Sequence, residues 1–244
     1  MASTSGSTSG STPEPVPEDW ERALAIVAHP DDMEYGAAAA VARWSAQGKR
    51  VTYLLATRGE AGIDDLEPDA CALVREAEER ASAAIVGVET VEFLGHRDGL
   101  IEYGVPLRRD LALAIRRHRP EVVITINHHA QWGGGHLNMA DHRHVGLAAL
   151  DAVRDAANRW LFRDAPGLEP WSGVRFALVA GASDPTHFVD VSGELELGIA
   201  SLEAHARYLA YVGTDARELL TSMAEQAGVA CGKRYATLFE VVSL

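Results

Sequence analysis

The chain has 244 residues, of which 47% are hydrophobic and 23% charged, and this composition predicts one globular domain with a sizeable core. Acidic residues outnumber basic ones by 35 to 22, and the net charge of −13 disfavours nucleic acid and anionic membrane surfaces as partners. No apolar run is long enough for a membrane span. Two cysteines, Cys71 and Cys231, are too few for a disulfide framework, so we expect a cytoplasmic protein.

The first 18 residues differ in composition from the rest of the chain. They are rich in Ser, Thr, Gly and Pro, and they lack the basic and apolar regions of a secretory signal. A segment of this composition is typical of disorder. We therefore expect a disordered tail over residues 1–18 and a single folded domain over residues 19–244.

After the tail, short runs rich in Val, Ile and Leu alternate with longer helical patterns, as in βα units around a parallel sheet. The runs lack period-two alternation, which is typical of strands covered by helices on both faces. The predicted strands occupy residues 23–28, 51–56, 91–94, 122–126 and 175–180. The predicted helices occupy residues 33–47, 68–86, 106–118, 141–159 and 195–210. A last apolar run, residues 237–244, is interpreted as an edge strand. The predicted fold class is α/β, with a Rossmann-like, mainly parallel sheet and helices on both faces.

The first predicted strand ends in a polar cluster, His29-Pro30-Asp31-Asp32. Ligands of open α/β sheets bind outside the carboxyl ends of the strands, so these side chains lie where a site is expected. A structural role is an equally good interpretation of this cluster alone. Carboxylates are favoured at a helix N-terminus, where they interact with the helix dipole and with free backbone N–H groups.

A second cluster follows the fourth predicted strand, over residues 126–146. It contains five of the ten histidines of the chain, namely His128, His129, His136, His142 and His144. A surface loop has no structural need for so many imidazoles, whereas a catalytic zinc takes three N or O ligands from the protein. The pair Asp141-His142 begins a predicted helix, as Asp31 and Asp32 do. Two strand ends on one sheet edge can thus supply metal ligands from opposite sides of a crevice.

Several further motifs occur in order along the chain. They are AHPDDMEYG at 28–36, TRGEAG at 57–62, Arg75-x-x-Glu78, GHRDG at 95–99, Asp141-His142-Arg143, and VDVS at 189–192 followed by His205. This ordered set resembles the LmbE-like or PIG-L family of zinc-dependent N-acetylglucosaminyl deacetylases. The resemblance covers most of residues 23–210. It differs at Met33, where the family commonly has Glu.

The resemblance implies a role for each residue of the two strand ends. His29, Asp32 and His142 would bind one Zn²⁺ per chain, and Asp31 would be the general base. A zinc-activated water would then be the nucleophile that attacks the acetamide carbonyl. Asp31 would also carry the proton to the departing amine.

Two other residues match family positions that contact the substrate, Arg75 and Asp98. For these two residues, a surface ion pair or a turn is the plain alternative. His128 and His129 are interpreted as groups that support the ligands or face the substrate, or as structural histidines.

The chain departs from the family pattern at a histidine that would stabilise the oxyanion or act as acid. The family commonly has His-Pro-Asp-His where this chain has Met139-Ala140-Asp141-His142, and Met139 cannot donate a hydrogen bond. The sequence leaves open whether His136, His144, His187 or Asn138 replaces that histidine. Asp141, His144 and His136 are accordingly candidates for supporting groups or for the acid. Loss of one oxyanion donor costs about 10²- to 10³-fold in rate, so activity can survive it.

The leading hypothesis is a hydrolase that deacetylates a small-molecule N-acetylated sugar conjugate. An amidase of glucosaminyl thiol conjugates is an alternative within enzymes. A catalytically impaired, sugar-binding relative is the alternative from another class, and Met139 motivates it. Neither nucleic acid nor a membrane is expected as a partner, and the sequence leaves a homo-oligomer open.

Overall fold

The computed structural model describes residues 12–244, which form one eight-stranded sheet flanked by helices. The strands are β1 (Glu14–Pro15), β2 (Arg22–Val27), β3 (Arg50–Leu55), β4 (Thr90–Phe93), β5 (Val122–Ile126), β6 (Phe176–Ala180), β7 (His187–Asp190) and β8 (Ala236–Ser243). The helices are α1 (Asp32–Gly36), α2 (Ala38–Ala46), α3 (Pro68–Ile85), α4 (Val105–His118), α5 (Ala140–Ala157), α6 (Leu195–Glu203), α7 (Ala206–Val212) and α8 (Ala216–Cys231). None of these helices combines the length and the apolar character that crossing a membrane requires.

The sheet has the strand order β1-β7-β8-β6-β5-β2-β3-β4. Every neighbouring pair is parallel except the two pairs that β8 makes with β6 and β7. The prediction of an α/β fold with a mainly parallel sheet is therefore confirmed.

The strand order reverses direction at β2. The chain runs from β2 outward to β3 and β4, then returns through α4 to β5 on the other side of β2. Such a reversal opens a crevice beyond the carboxyl ends of the two strands, which is the usual ligand position in this architecture. The loops after β2 and β5 lie at this crevice.

Both faces of the sheet are buried, which explains the continuous apolar runs. In β2, Ala25 and Val27 belong to the core on one face together with Trp44 of α2. Leu24 and Ile26 belong to the core on the opposite face, which α4 and α5 cover. Since alternate residues of one strand enter two different cores, both sets must be apolar.

The five predicted parallel strands occur within one residue of their expected bounds. The last strand occurs where it was predicted along the chain, but its predicted position at the edge of the sheet is wrong. β8 is not an edge strand, because it lies between β6 and β7 and pairs with both. The four-residue strand β7, which supplies one of those pairings, was not predicted.

Three helical predictions differ from the structure. The helix predicted over 33–47 is divided at Ala37, whose φ of −152° lies outside the helical region. The helix predicted over 195–210 is divided between α6 and α7. Helix α8 was not predicted, although Asp215 caps its first turn by accepting a 2.9 Å hydrogen bond from the Glu218 backbone and Gly232 follows its last residue.

The predicted tail extends too far along the chain. Residues 1–11 lie outside the described residues, but Glu14–Pro15 form β1, which pairs with β7. Val16 is buried, and the Glu18 carboxylate accepts a 2.9 Å hydrogen bond from the Trp44 indole. The backbone pairing and this burial offset the entropy of ordering the segment, so the folded domain begins no later than residue 14.

One glycine marks a close approach between two helices, and we expect its substitution to destabilise the fold. A Cβ at Gly198 in α6 would lie 2.9 Å from Cβ and 3.0 Å from the backbone nitrogen of Ala39 in α2. Gly198→Ala should therefore lower the free energy of unfolding by about 1–3 kcal/mol through overpacking. A Cβ at Gly193 meets nothing within 4 Å, so Gly193→Ala is the matched control. Urea denaturation of both variants measures the effect, and equal stabilities would contradict it.

Candidate metal centre and active site

Three side chains from the loops after β2 and β5 meet in the crevice. His29 and Asp32 follow β2, His142 lies in the first turn of α5, and all three are buried. His29 Nδ1 lies 3.2 Å from His142 Nε2. Asp32 Oδ1 lies 3.0 Å from His142 Nε2 and 3.8 Å from His29 Nδ1. The structure thus brings together the three residues that the sequence predicts as metal ligands.

The Asp32 carboxylate is anchored by the backbone of its own loop. Its Oδ2 accepts hydrogen bonds of 2.9 Å from the N–H groups of Ala28 and His29. Burial would raise the pKa of Asp32, but the neighbouring His142 and His29 outweigh it and hold that pKa below its usual range. Asp32 is therefore ionised, and its Oδ1 faces the two imidazoles.

Asn138 selects the tautomer of His142. The Asn138 side-chain nitrogen donates hydrogen bonds to the carbonyl oxygens of Asn127 at 2.6 Å and His129 at 3.0 Å. This assigns the amide oxygen to the other side, where it lies 3.0 Å from His142 Nδ1. His142 Nδ1 must donate to that oxygen, so Nε2 carries a lone pair directed at Asp32.

Two carboxylates select the tautomer of His29. His29 Nε2 lies 3.2 Å from Asp141 Oδ2 and 3.1 Å from Asp98 Oδ1, so it donates to them. The Asp141 carboxylate also accepts hydrogen bonds from the backbone N–H groups of Gly99 at 2.7 Å and Ile101 at 3.3 Å. His29, Asp98 and Asp141 are close enough to hold an ion themselves. Their hydrogen bonds are instead typical of groups that orient a metal-binding histidine.

These contacts direct two imidazole lone pairs at each other across 3.2 Å. A positive charge between them is needed to offset the repulsion. In the metal-free protein that charge is a proton. Burial lowers the pKa of His29, but hydrogen bonds to Asp141, Asp32 and Asp98 prevail and raise it well above its usual value.

A divalent cation would replace that proton. Zinc ligands at about 2.0–2.1 Å in a tetrahedron lie about 3.3 Å apart. The three donor atoms are separated by 3.2, 3.0 and 3.8 Å, so the residues fit such an ion.

Asp31 lies beside the three donors and is held in an unusual conformation. Its backbone is left-handed, with φ 91° and ψ −16°, which costs a non-glycine residue about 1–2 kcal/mol. The Asp31 N–H donates a 3.1 Å hydrogen bond to Glu79 Oε2, and its Oδ2 accepts a 3.1 Å hydrogen bond from Arg75. Arg75 also donates to the Pro30 carbonyl oxygen.

Burial raises the pKa of Asp31 to about 6, although Arg75 opposes the rise. Asp31 can thus exchange a proton near neutral pH.

The sequence matches the family model described as PIG-L, GlcNAc-PI de-N-acetylase, over residues 24–153, which is more than half of the chain. The chain belongs to this family. The matched segment contains both strand ends, with His29, Asp31, Asp32 and His142. Membership identifies the protein as an enzyme, a deacetylase that hydrolyses an amide bond, and the family resemblance in the sequence is confirmed.

Curated relatives and a solved structure agree with the PIG-L assignment. The chain is 30% identical over 191 residues to a diacetylchitobiose deacetylase from Thermococcus kodakarensis, covering 77% of this chain and 70% of the relative. It is 32% identical to a 1D-myo-inositol 2-acetamido-2-deoxy-alpha-D-glucopyranoside deacetylase from Kineococcus radiotolerans, covering 76% of this chain and 68% of the relative. The N,N'-diacetylchitobiose deacetylase structure from Pyrococcus horikoshii shares the fold, with a TM-score of 0.83 and 24% identity. That alignment covers 93% of this chain and 85% of the other.

The two residues that the PIG-L resemblance assigns to the substrate contact the site from within the protein. The Arg75 side chain is buried, donates to Asp31 and stacks on Tyr208 with its guanidinium carbon 3.8 Å from the ring centre. Asp98 contacts His29 through Oδ1 and accepts a 2.8 Å hydrogen bond from the Ala61 N–H through Oδ2. Both oxygens of Asp98 are thus engaged by the protein. Its substrate contact stays a prediction.

The candidates for the missing family histidine lie apart from one another. Met139 is 53% exposed at the start of α5. His144 Nδ1 lies 2.6 Å from the Ile101 carbonyl oxygen, and His187 Nδ1 lies 2.8 Å from the Thr186 hydroxyl. Asn138 is occupied in orienting His142, as described above. His136 is exposed next to the Gly133–Gly135 turn, a short 3₁₀ helix in the loop after β5. A role of His136 or His144 as acid stays a prediction.

Sequence reasoning missed one residue of the site and misjudged another. Glu79, which accepts the Asp31 N–H, was not singled out, whereas its neighbour Glu78 was. Arg75, Glu79 and Ser82 lie on one face of α3 at i, i+4 and i+7, but a polar stripe with this spacing is typical of a solvent-exposed face, and only the structure shows that these residues are buried. Asn138 was considered as a donor to the substrate, and its function is to orient His142.

Removing the Asn138 side chain should weaken metal binding without removing a ligand. In Asn138→Ala, His142 is free to adopt the other tautomer, and we expect zinc affinity to fall by about 10- to 100-fold. Competition with a chromophoric chelator measures the affinity. Asn158→Ala, which changes an exposed asparagine at the end of α5, is the control. An affinity for Zn²⁺ equal to that of the unmodified protein would show that Asn138 does not orient the ligand.

Proposed function

We propose that the protein is a zinc-dependent hydrolase that removes the acetyl group from an N-acetylglucosaminyl conjugate. The observation that carries this proposal is the pairing of two imidazole nitrogens and one ionised carboxylate around a common point, with a second carboxylate beside them. Zinc is chosen because catalytic zinc sites use three N or O ligands and leave a position for water. The names of the curated relatives, which act on chitobiose and glucosaminyl-inositol compounds, support a glucosamine-containing substrate.

The two adjacent aspartates would divide the chemistry between them. Bound at His29, Asp32 and His142, the ion would supply Lewis-acid activation of water and of the acetamide carbonyl. Asp31, which the protein holds beside that point, would accept a proton from the attacking water as general base. The same carboxyl group, now protonated, would return the proton to the departing amine. Proton transfer requires a group with a pKa near the working pH, and burial provides it by raising the pKa of Asp31 to about 6.

The surroundings of Asp31 support this assignment. Arg75 and Glu79 hold the left-handed backbone of Asp31 from two sides, through the Pro30 carbonyl oxygen and the Asp31 N–H. An aspartate used only as a helix cap needs no such support. Strained residues that the surrounding structure holds in place cluster at active sites.

The rival, a non-hydrolytic sugar-binding relative motivated by Met139 at the family histidine position, is disfavoured by the family assignment. Metal-loaded protein without acetate release from any N-acetylglucosaminyl compound would support the rival. The panel should include the amide of a glucosaminyl thiol conjugate, because an amidase of such conjugates is the alternative enzyme. A cytoplasmic location and the oligomeric state are separate predictions that this assay does not address.

Substitution of a metal ligand and of the general base should separate metal binding from proton transfer. His142→Ala should lose both the ion and activity. Asp31→Asn should retain the ion, because the amide replaces a carboxylate that does not bind it, while kcat falls by about 10²- to 10⁴-fold. Acetate release from an N-acetylglucosaminyl panel measures activity, with zinc-restored and metal-stripped enzyme compared. Near-normal turnover of Asp31→Asn would rule out Asp31 as the base.

The pH profile should depend on the charge of Arg75. The guanidinium lowers the pKa of Asp31, so in Arg75→Met that pKa should rise and the base should stay protonated to higher pH. We expect the acidic limb of kcat/KM to move to higher pH by about one unit or more. Arg75→Lys retains the charge and should keep the limb near its original position. An unchanged limb in Arg75→Met would contradict the coupling between Arg75 and Asp31.

A further inference from the structure

A second cluster of side chains of metal-binding types lies next to Asp31. Its members are Glu34 of α1, Glu79 of α3 and His205 between α6 and α7. Their relative exposures are 2%, 1% and 0%, so all three are closed off from solvent. The nearest of these side chains to the proposed base is Glu79, whose Oε2 accepts the Asp31 N–H.

The three side chains face one another without hydrogen bonds between them. His205 Nε2 lies 3.8 Å from Glu34 Oε2 and 3.7 Å from Glu79 Oε2, both beyond hydrogen-bond length. The Ser82 hydroxyl donates a 2.6 Å hydrogen bond to Glu34 Oε1, whereas Glu34 Oε2 and His205 Nε2 have no hydrogen-bond partner among the described residues. A buried polar group without a partner costs about 1–3 kcal/mol, so these two facing atoms indicate a missing ligand.

The donor atoms of this cluster are of the types that bind cations. Burial lowers the pKa of His205 to about 3, so the imidazole is neutral, and it raises the pKa values of the Glu34 and Glu79 carboxyl groups, which a bound cation would lower again. Arg75, the basic side chain that acts on both Glu79 and His205, already donates to Asp31. A neutral imidazole and two carboxylates form a donor set suited to a divalent transition metal.

We propose that Glu34, Glu79 and His205 bind a divalent transition-metal cation, distinct from the one at His29, Asp32 and His142. His205 Nε2 lies 3.7–3.8 Å from an oxygen of each carboxyl group, and the three donor atoms lie within 4.8 Å of one another, so one cation can lie between them. This inference does not depend on the substrate or on the hydrolytic reaction.

The ion would fix the part of the protein that holds Asp31. With the Glu79 carboxylate bound to a cation, its Oε2 stays in place to accept the N–H of the left-handed Asp31. Helices α1 and α3 and the α6–α7 junction would be linked at one point. The role is structural, because the cluster is closed off from solvent.

Counting zinc in five proteins, one of them a control, tests the proposal. Metal-stripped protein is incubated with Zn²⁺ and passed over a desalting column, and bound zinc per chain is measured by mass spectrometry. We expect two equivalents in the unmodified protein, one in His205→Ala, one in His142→Ala and none in the double variant. Glu76→Gln, a partly exposed position on α3 that pairs with Arg58, should leave two.

A second measurement separates a bound ion from a general loss of structure. Added Zn²⁺ should raise the Tm of His142→Ala, whose remaining site is the buried cluster, and should leave the Tm of the double variant unchanged. If His205→Ala does not fold, judged by circular dichroism, Glu79→Leu takes its place.

The counts also distinguish this proposal from the catalytic one. Equal zinc content in the unmodified protein and in a folded His205→Ala or Glu79→Leu would overturn the second site, whatever the activity. A single equivalent that His205→Ala removes and His142→Ala retains would support it and refute the catalytic ion instead.

Discussion

The site depends on the repulsion between two imidazole lone pairs. His29 and His142 face each other at 3.2 Å, and neither can rotate its proton into the gap without breaking hydrogen bonds to Asp141 and Asp98 or to Asn138. A buried arrangement of this kind is stable only with a positive charge at its centre. The protein thus uses neighbouring hydrogen bonds to keep three donor atoms in position for an ion, with Asp32 providing the negative charge.

The neighbouring aspartates, Asp31 and Asp32, show how backbone geometry assigns different roles to identical side chains. Asp32 begins α1 and turns its Oδ2 to two backbone N–H groups, which leaves Oδ1 for the ion. Asp31 adopts a left-handed backbone, and its carboxylate is directed to Arg75. Burial then moves the pKa of Asp31 upward while the imidazoles move that of Asp32 downward. One carboxylate suits proton transfer and the other suits metal binding.

The polar groups around the site extend well beyond the residues that would touch an ion or a substrate. Helix α3 contributes Arg75 and Glu79, and the loop after β5 contributes Asn138, all of them buried. Each holds a neighbouring group of the site by a hydrogen bond, whose strength falls steeply when its distance or angle changes. Such supporting contacts commonly affect metal affinity and rate as strongly as some ligands do.

The sequence by itself was sufficient for the α/β class, the five parallel strands and the two polar strand ends, and the family resemblance pointed to the three candidate ligands among them. Continuous apolar runs and polar strand ends are local properties of the chain, and the parallel sheet brings the carboxyl ends of its strands to one edge. Only the tertiary structure decided that β8 is an interior strand, that β1 belongs to the sheet, and which polar residues support the site. Glu79 and His205 lie against partners 48 and more than 100 residues away, respectively. Such contacts depend on the packing of helices against the sheet, which no local pattern of residues specifies.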